Sequence, residues 1–297
     1  MGIAIFGSTG FVGTNFIANS RQRNLKFINR GDTSSLNCLD ENINAVLNFV
    51  GKAHDVADAT NYEDYYTSNT LFCNKLFDTF LQSQAEIFIT ISSVKAVADD
   101  LSGVLTEEVN PNPKTYYGET KLLAENYILS KNIPKNKRIY ILRPCVIYGP
   151  GNKGNLNLLF KFVRMGIPWP LGKFENKKSF CSVTNLCFII DELIDNKKIP
   201  SGVYNIADDE TLSTNQIVSL VAEAIRKPYK IYFIPIFIVN FFSKLGDFLM
   251  LPFNSSRLKK LTQDYIVSND KIKSAIGKPL PVSSRDGLLK TFESFKD

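Results

Sequence analysis

One histidine, His54, occurs in 297 residues. That excludes a zinc site built on several histidines, and with it most serine–histidine–aspartate chemistry. An acid or base in this chain has to be another side chain. The five cysteines, Cys38, Cys73, Cys145, Cys181 and Cys187, are odd in number and form no CxxC pair. In a chain of this size that argues against a disulfide framework and for a reducing, cytoplasmic setting. No apolar run is long enough to span a bilayer. No basic leader precedes the first apolar stretch, Ile3-Ala4-Ile5-Phe6, and Phe6 stands where a myristoylation signal has Ser or Thr. Lys and Arg exceed Asp and Glu by six but lie scattered among acidic residues, without the clustered basic face and stacking aromatics of a nucleic-acid binder.

The hydrophobic share of 44% is ordinary for a globular protein and supports one large domain or a large and a small one. Short apolar strands alternate with helical stretches through the first two-thirds. Strands are expected at Ile3–Phe6, Lys26–Asn29, Ala45–Val50, Ile87–Ile91, Tyr140–Leu142 and Val203–Ile206, with Ser35–Leu39 as a brief further one. Helices are expected at Phe11–Ser20, Thr70–Leu81, Thr115–Ser130 and Ser213–Ile225, the last capped by Ser213 or Thr214. This rhythm predicts an α/β fold: a doubly wound parallel sheet of the Rossmann type with a smaller C-terminal substrate domain. Residues 1–150 with about 181–207 form the first domain; about 151–180 and 208–297 form the second. In Ile231–Met250, apolar residues recur at helical spacing around Asn240, Lys244 and Asp247. A helix packed on the core or covering a pocket is the first reading, and a contact with a membrane surface or a second subunit is the alternative.

Three motifs carry chemistry. Gly7-Ser8-Thr9-Gly10-Phe11-Val12-Gly13 follows the first strand and opens the first helix, the setting in which glycines let a backbone approach a pyrophosphate at a helix N-terminus. Without a ligand the same residues are only a tight turn. Tyr117 and Lys121, four apart, share one helix face, and a neighbouring ammonium lowers a phenol's pKa towards neutrality. Taken alone, that spacing is also common in surface pairs. Ser92-Ser93 ends the strand Ile87–Ile91, where parallel sheets bind ligands, although turn serines are equally at home there.

Together these motifs resemble the extended short-chain dehydrogenase/reductase family, in its sugar-nucleotide epimerase/dehydratase branch, over almost the whole chain. Gly7, Gly10 and Gly13 match the glycine motif, Tyr117 and Lys121 the YxxxK pair, Ser93 the catalytic Ser/Thr and Asn69 the structural Asn. The stretch from Arg143 to Gly151 resembles the RPxxVYGPG segment beside the nicotinamide. Gly154-Asn155-Leu156 is similar to a substrate-loop element. The run Asn176–Phe180 with Asn185-Leu186 is similar to N(K/R)RSFxxVxNL, with Lys178 in place of Arg. Gly166-Ile167-Pro168 and Pro170-Leu171-Gly172 strengthen the likeness to enzymes of surface-polysaccharide sugar synthesis.

The resemblance implies hydride transfer between NAD(P) and a sugar carbon, with Ser93, Tyr117 and Lys121 catalytic and no metal. It implies a cofactor held by Gly7, Thr9, Gly10, Phe11, Val12, Gly13, Asn29, Arg30, Phe49, Val50, Gly51, Lys121, Pro144 and Val146. The substrate is a nucleotide-diphosphate sugar, probed by Ser93, Tyr117, Asn155 and Lys178, with a polyprenyl-diphosphate sugar as the alternative. Asn29-Arg30, where an acid would select NAD, favours NADP. Dehydratases of this family carry Asp-Glu after the catalytic Ser/Thr. Val94-Lys95 stand there instead, leaving C4 epimerase and C4 reductase open, with the missing acid on strand two favouring the reductase. The family also implies a homodimer through the helices near 70–81 and 114–130. An inactive cofactor-binding scaffold and an RNA-associated protein of this fold are the rival classes.

Overall fold

The structure, a computed structural model, describes all residues except 1, 23, 30–38, 40–41, 53–60, 153, 252 and 297. Arg30, Cys38, His54 and nearly all of the expected Ser35–Leu39 strand lie outside the described residues.

In chain order the elements begin with β1 (Gly2–Phe6), α1 (Phe11–Asn19), β2 (Leu25–Ile28) and β3 (Ile43–Asn48). Next, α2 (Tyr62–Tyr65) runs through a π turn (Tyr66–Leu71) into α3 (Phe72–Gln82), followed by β4 (Ile87–Ile91), a 3₁₀ turn (Val94–Ala96), β5 (Val104–Leu105) and α4 (Tyr116–Leu129). Then come β6 (Arg138–Pro144), β7 (Val146–Tyr148), α5 (Asn155–Arg164), β8 (Lys178–Ser182), α6 (Val183–Asp195) and β9 (Gly202–Ile206). The chain ends with β10 (Thr211–Leu212), α7 (Thr214–Ile225), α8 (Ile236–Phe248), α9 (Ser255–Thr262), β11 (Ile266–Val267), α10 (Asp270–Ile276) and α11 (Ser284–Glu293).

Six strands pair in parallel in the order β2-β1-β3-β4-β6-β9. The order reverses between β1 and β3, so their carboxyl ends open the crevice where sheets of this kind bind ligands. Alternating side chains serve opposite faces. Ile3, Ile5, Leu47, Ile89 and Leu142 join Phe16 of α1 and Leu186 and Ile190 of α6 in one buried cluster. Ala4, Phe6, Val46, Phe88 and Ile141 join Leu76, Phe77 and Phe80 of α3 and Ile128 of α4 in another. Burial on both faces explains why these strands read as continuous apolar runs.

A third cluster lies in the remaining chain, built from Phe160, Trp169, Phe180, Val218, Val221, Leu288 and Phe292. In the three-stranded sheet β10-β8-β7, β8 sends Phe180 into this cluster and Cys181 into the first one. Asp208 fastens this junction, accepting hydrogen bonds from the Tyr148 hydroxyl at 2.7 Å, the Ser182 amide at 2.9 Å and Asn185 Nδ2 at 2.6 Å. Asn185 also pairs with the Val282 backbone through both ends of its amide, so the expected VxNL asparagine holds the two parts of the chain together.

Two elements differ from expectation. The helix expected at Thr70–Leu81 begins at Tyr62, where Asn61 caps it by accepting from the Asp64 amide at 2.9 Å. In the 231–250 segment the helix forms, but it does not bury its large side chains. Only Val239, Ser243 and Gly246 of α8 are buried, while Phe237, Phe241 and Phe248 face outward. The small residues let the chain fold back tightly: a Cβ at Gly246 would run into the Phe253 carbonyl. The helix does pack on the core, through Val239 in the third cluster, but with its short residues inward and its large apolar ones outward.

Candidate active site

The glycine turn is built for close approach. Gly7 has a φ of 83°, a region that L side chains avoid, and a Cβ there would sit 2.7 Å from the Phe49 carbonyl carbon. A Cβ at Gly13 would collide with the Gly7 carbonyl oxygen, so α1 can rest directly on the turn only with glycine there. Gly10 occupies the N-cap with no side-chain cap bond, and no acidic residue lies in the first turn of α1. The first amides of α1 and their positive dipole end are thus left open beside the exposed Thr9 and Gly10. These residues fit a dinucleotide pyrophosphate.

A continuous series of contacts runs from this turn to the expected catalytic side chains. Phe49 N donates to the Phe6 carbonyl at 2.9 Å, and Val50 N donates to Asn48 Oδ1 at 3.1 Å. Gly51 follows, and a Cβ on it would come within 2.8 Å of Lys121 Nζ. Lys121, almost fully buried, donates from Nζ to the Ile91 carbonyl at 2.9 Å, at the end of β4. Two residues on is Ser93, whose side chain lies near enough to the Tyr117 phenol to lower its pKa. The structure therefore brings Ser93, Tyr117 and Lys121 to one place, beside the turn.

Local sequence explains that assembly. Thr115 caps α4, accepting from the Gly118 amide at 3.2 Å. A Cβ at Gly118 would collide with the Lys95 carbonyl, so glycine lets α4 press onto the 3₁₀ turn after Ser93. Asn69, in the π turn, accepts from the Lys52 amide at 2.8 Å and donates to Thr120 Oγ1 at 3.2 Å. It thus ties the loop after β3 to the helix carrying Lys121. A π turn at a functional site is a recurring use of that geometry.

Electrostatics correct one expectation. Burial raises the Tyr117 pKa above its ordinary value, the Ser93 hydrogen bond pulls it partly back, and Tyr65 pushes it up. Burial lowers the Lys121 pKa, with Cys73 and Glu125 opposing. The ammonium is engaged with the Ile91 carbonyl, so in the protein alone desolvation outweighs the expected acidifying effect.

Of the other expected residues, Pro144 ends β6 and is buried, while Val146 opens β7 and is exposed. Phe11 and Val12, half-buried, begin α1, and Asn29 is exposed just past β2. Asn155 opens α5, exposed, and no hydrogen bond or ion pair among the described residues joins it to Lys178. Lys178 opens β8. Its Nζ donates to the Lys260 carbonyl at 2.5 Å, and the Lys95 charge lies near enough to lower its pKa.

Sequence reasoning missed two features. The sequence marks Lys95 only by what it replaces, yet its Nζ lies 4.7 Å from the Tyr265 ring centroid and donates to the Asp99 carbonyl at 2.9 Å. Glu125 was missed entirely. It forms a buried pair with Arg143, Nη2 to Oε2 at 2.5 Å, and accepts from the Ser92 hydroxyl. Spacing could have found it, because Tyr117, Lys121 and Glu125 recur every four residues on one face of α4. No cluster suited to a metal ion occurs among the described residues, and their four cysteines are free and buried.

The profile of the NAD dependent epimerase/dehydratase family matches residues 3–207, and the chain belongs to that family of NAD-dependent enzymes. It is 28% identical to the UDP-glucose 4-epimerase of Vibrio cholerae, across 99% of this chain and 95% of the relative. It is 24% identical to the N-acetyl-alpha-D-glucosaminyl-diphospho-ditrans,octacis-undecaprenol 4-epimerase of Escherichia coli O157:H7, across 98% and 94%. Among solved structures, the UDP-glucuronic acid 4-epimerase from Bacillus cereus in complex with NAD superposes with a TM-score of 0.75 at 21% identity, covering 100% of this chain and 99% of that one.

Proposed function

We propose that the protein is an NAD(P)-dependent C4 epimerase of a UDP-linked hexose or N-acetylhexosamine in surface-polysaccharide synthesis. The observation that carries this reading is the convergence of three side chains: Ser93 lies near enough to the Tyr117 phenol to lower its pKa, and Lys121, four residues on in the same helix, is buried at the end of the strand before Ser93. A bound nicotinamide supplies the acceptor and donor of hydride. Tyr117 takes the proton of the C4 hydroxyl as that carbon is oxidised and returns it when the ketone is reduced from the other side. Ser93 holds the same oxygen by a hydrogen bond, and Lys121 meets the nicotinamide ribose. Gly7, Gly10 and Gly13 carry the pyrophosphate. At the end of β2, Asn29 stands without the carboxylate that would repel a 2′-phosphate, so NADP is accepted as well as NAD.

Three further assignments follow the family. The sheet with its flanking helices forms the dinucleotide domain, and about 151–180 with 208–297 forms the substrate domain. The protein is a homodimer through α3 and α4, whose outer surface exposes Leu123 and Leu129. Asn155 and Lys178 bind the sugar's diphosphate. A polyprenyl diphosphate is the second carrier to test, favoured by the exposed apolar α8 beside α9, whose Lys260 carbonyl meets Lys178.

The assay is incubation with UDP-glucose and UDP-N-acetylglucosamine without added cofactor, products being read by proton NMR. Formation of the C4 epimers, with a dinucleotide released on denaturation, is expected. Reduction of a 4-keto sugar only on adding NAD(P)H would replace the epimerase with a reductase.

Lys178 gives this reading a pH signature. Burial, and then Lys95, lowers its pKa to about 8, with Asp264 opposing. Affinity for a diphosphate requires the charged form, so kcat/KM should fall as pH rises through about 8. Stability should move the other way. The folded pKa lies below the unfolded value of 10.5, so the unfolded chain holds the proton more tightly and this group's contribution rises between about pH 8 and 10.5. Lys178→Met should raise KM about tenfold or more and remove that alkaline limb. An unchanged KM would take Lys178 out of the site.

A further inference from the structure

We propose that α8 and its flanks dock the protein on an anionic bilayer surface. The helix is inverted relative to an ordinary surface helix. Its inward face carries the small or short residues Val239, Ser243 and Gly246, whereas Phe237, Phe241 and Phe248 on the opposite face are 73%, 64% and 83% exposed. Met250, at the turn that follows, is 94% exposed. Four large apolar side chains projecting from one edge are far from the scattered exposure of a typical surface.

The charge around the helix points to the occupant. The excess of basic residues is not spread along the chain as the sequence reading had it. Residues 226–260 hold seven cationic side chains and one anionic, Asp247, which accounts for the whole net charge of +6; the rest of the chain carries 28 of each sign. All seven cations are exposed. Lys227 and Lys230 precede the helix, Lys244 lies on it, and Arg257, Lys259 and Lys260 lie on α9, which packs against it. Aromatic and aliphatic side chains on one face with cations alongside are what an interfacial helix presents to acyl chains and lipid phosphates.

A second copy of this chain is the weaker occupant. A twofold contact would set this segment's positive excess against itself. No described helix is long and apolar enough to cross a membrane, so the contact proposed is peripheral. Docking would hold the mouth of the site at the surface. Lys259 is paired with Asp100 at 2.7 Å, near Lys95, and the Lys260 carbonyl meets Lys178. The bilayer contact stands whichever carrier the sugar has.

The test is flotation of the full chain with phosphatidylcholine vesicles, with and without phosphatidylglycerol. Binding to the anionic vesicles, weakened by salt and about tenfold lower on phosphatidylcholine alone, is expected. The combined variant Phe237→Ser, Phe241→Ser, Phe248→Ser should lose a further tenfold or so on anionic vesicles. Its dinucleotide binding and turnover of a UDP-sugar should be unchanged, since these side chains touch neither the glycine turn nor Ser93, Tyr117 and Lys121. Wild-type protein that stays unbound on both kinds of vesicle would overturn the proposal. So would a variant that binds as well as wild type.

Discussion

Tyr117→Phe should cut turnover about 10³-fold while leaving dinucleotide binding intact. The substitution removes one oxygen, and the ring keeps its place against Tyr65, 6.0 Å between centroids. Burial holds the phenol protonated at neutral pH in the protein alone. It therefore functions as a base only when positive charge arrives beside it, which ties its acidity to an occupied cofactor site rather than to Lys121 alone. Steady-state rates on the UDP-sugar, with the retained dinucleotide quantified in parallel, check this. A variant with more than about a tenth of wild-type turnover would remove Tyr117 from the chemistry.

Breaking the Glu125–Arg143 pair from one side should destabilise the fold by about 3–5 kcal/mol. Both side chains are almost fully buried, with Arg143 Nε also donating to Glu125 at 3.1 Å. Glu125→Gln leaves a guanidinium without its counter-charge in a low-dielectric interior, and Arg143→Met does the same to the carboxylate. The expected fall in Tm is roughly 5–10 °C for a chain of this length. Removing both charges, Glu125→Leu with Arg143→Met, should cost less than either single change, because no lone charge remains. Thermal and urea unfolding of the three variants measure this. A double variant as unstable as the sum of the singles would mean that the pair acts as two separate contacts.

Much of this architecture could be read from residue order. Ile87–Ile91 occupies the predicted strand residue for residue, and α4 fills the predicted helix Thr115–Ser130 but for its two end residues, which cap it. Those elements combine an apolar run with flanking residues that stop it. By contrast, α6 was not predicted as a helix. Val183–Asp195 is buried on nearly every side, between α1 and the sheet, so its period is masked by apolar residues all round. The strand β7 has only three residues, and β8, Lys-Ser-Phe-Cys-Ser, lacks the apolar run that marked Ile87–Ile91.

At the site, Ser93, Tyr117 and Lys121 were legible as motifs, but their energetics were not. Whether an ammonium acidifies a phenol depends on where its Nζ is held, and a backbone carbonyl holds it here. The helix at 236–248 shows the same limit. Its apolar period was visible, but which way that stripe faces depends on the partners around it, and the sequence does not name them.

The central claim is that a hydride leaves and returns to the C4 carbon while Tyr117 handles the hydroxyl proton. It is tested most directly with a UDP-hexose carrying deuterium at C4, incubated in ordinary water without added cofactor. The account predicts a C4 epimer that keeps its deuterium, because the label shuttles within the protein and never meets solvent. Epimer formed with solvent hydrogen at C4, or loss of the label to water, would contradict it.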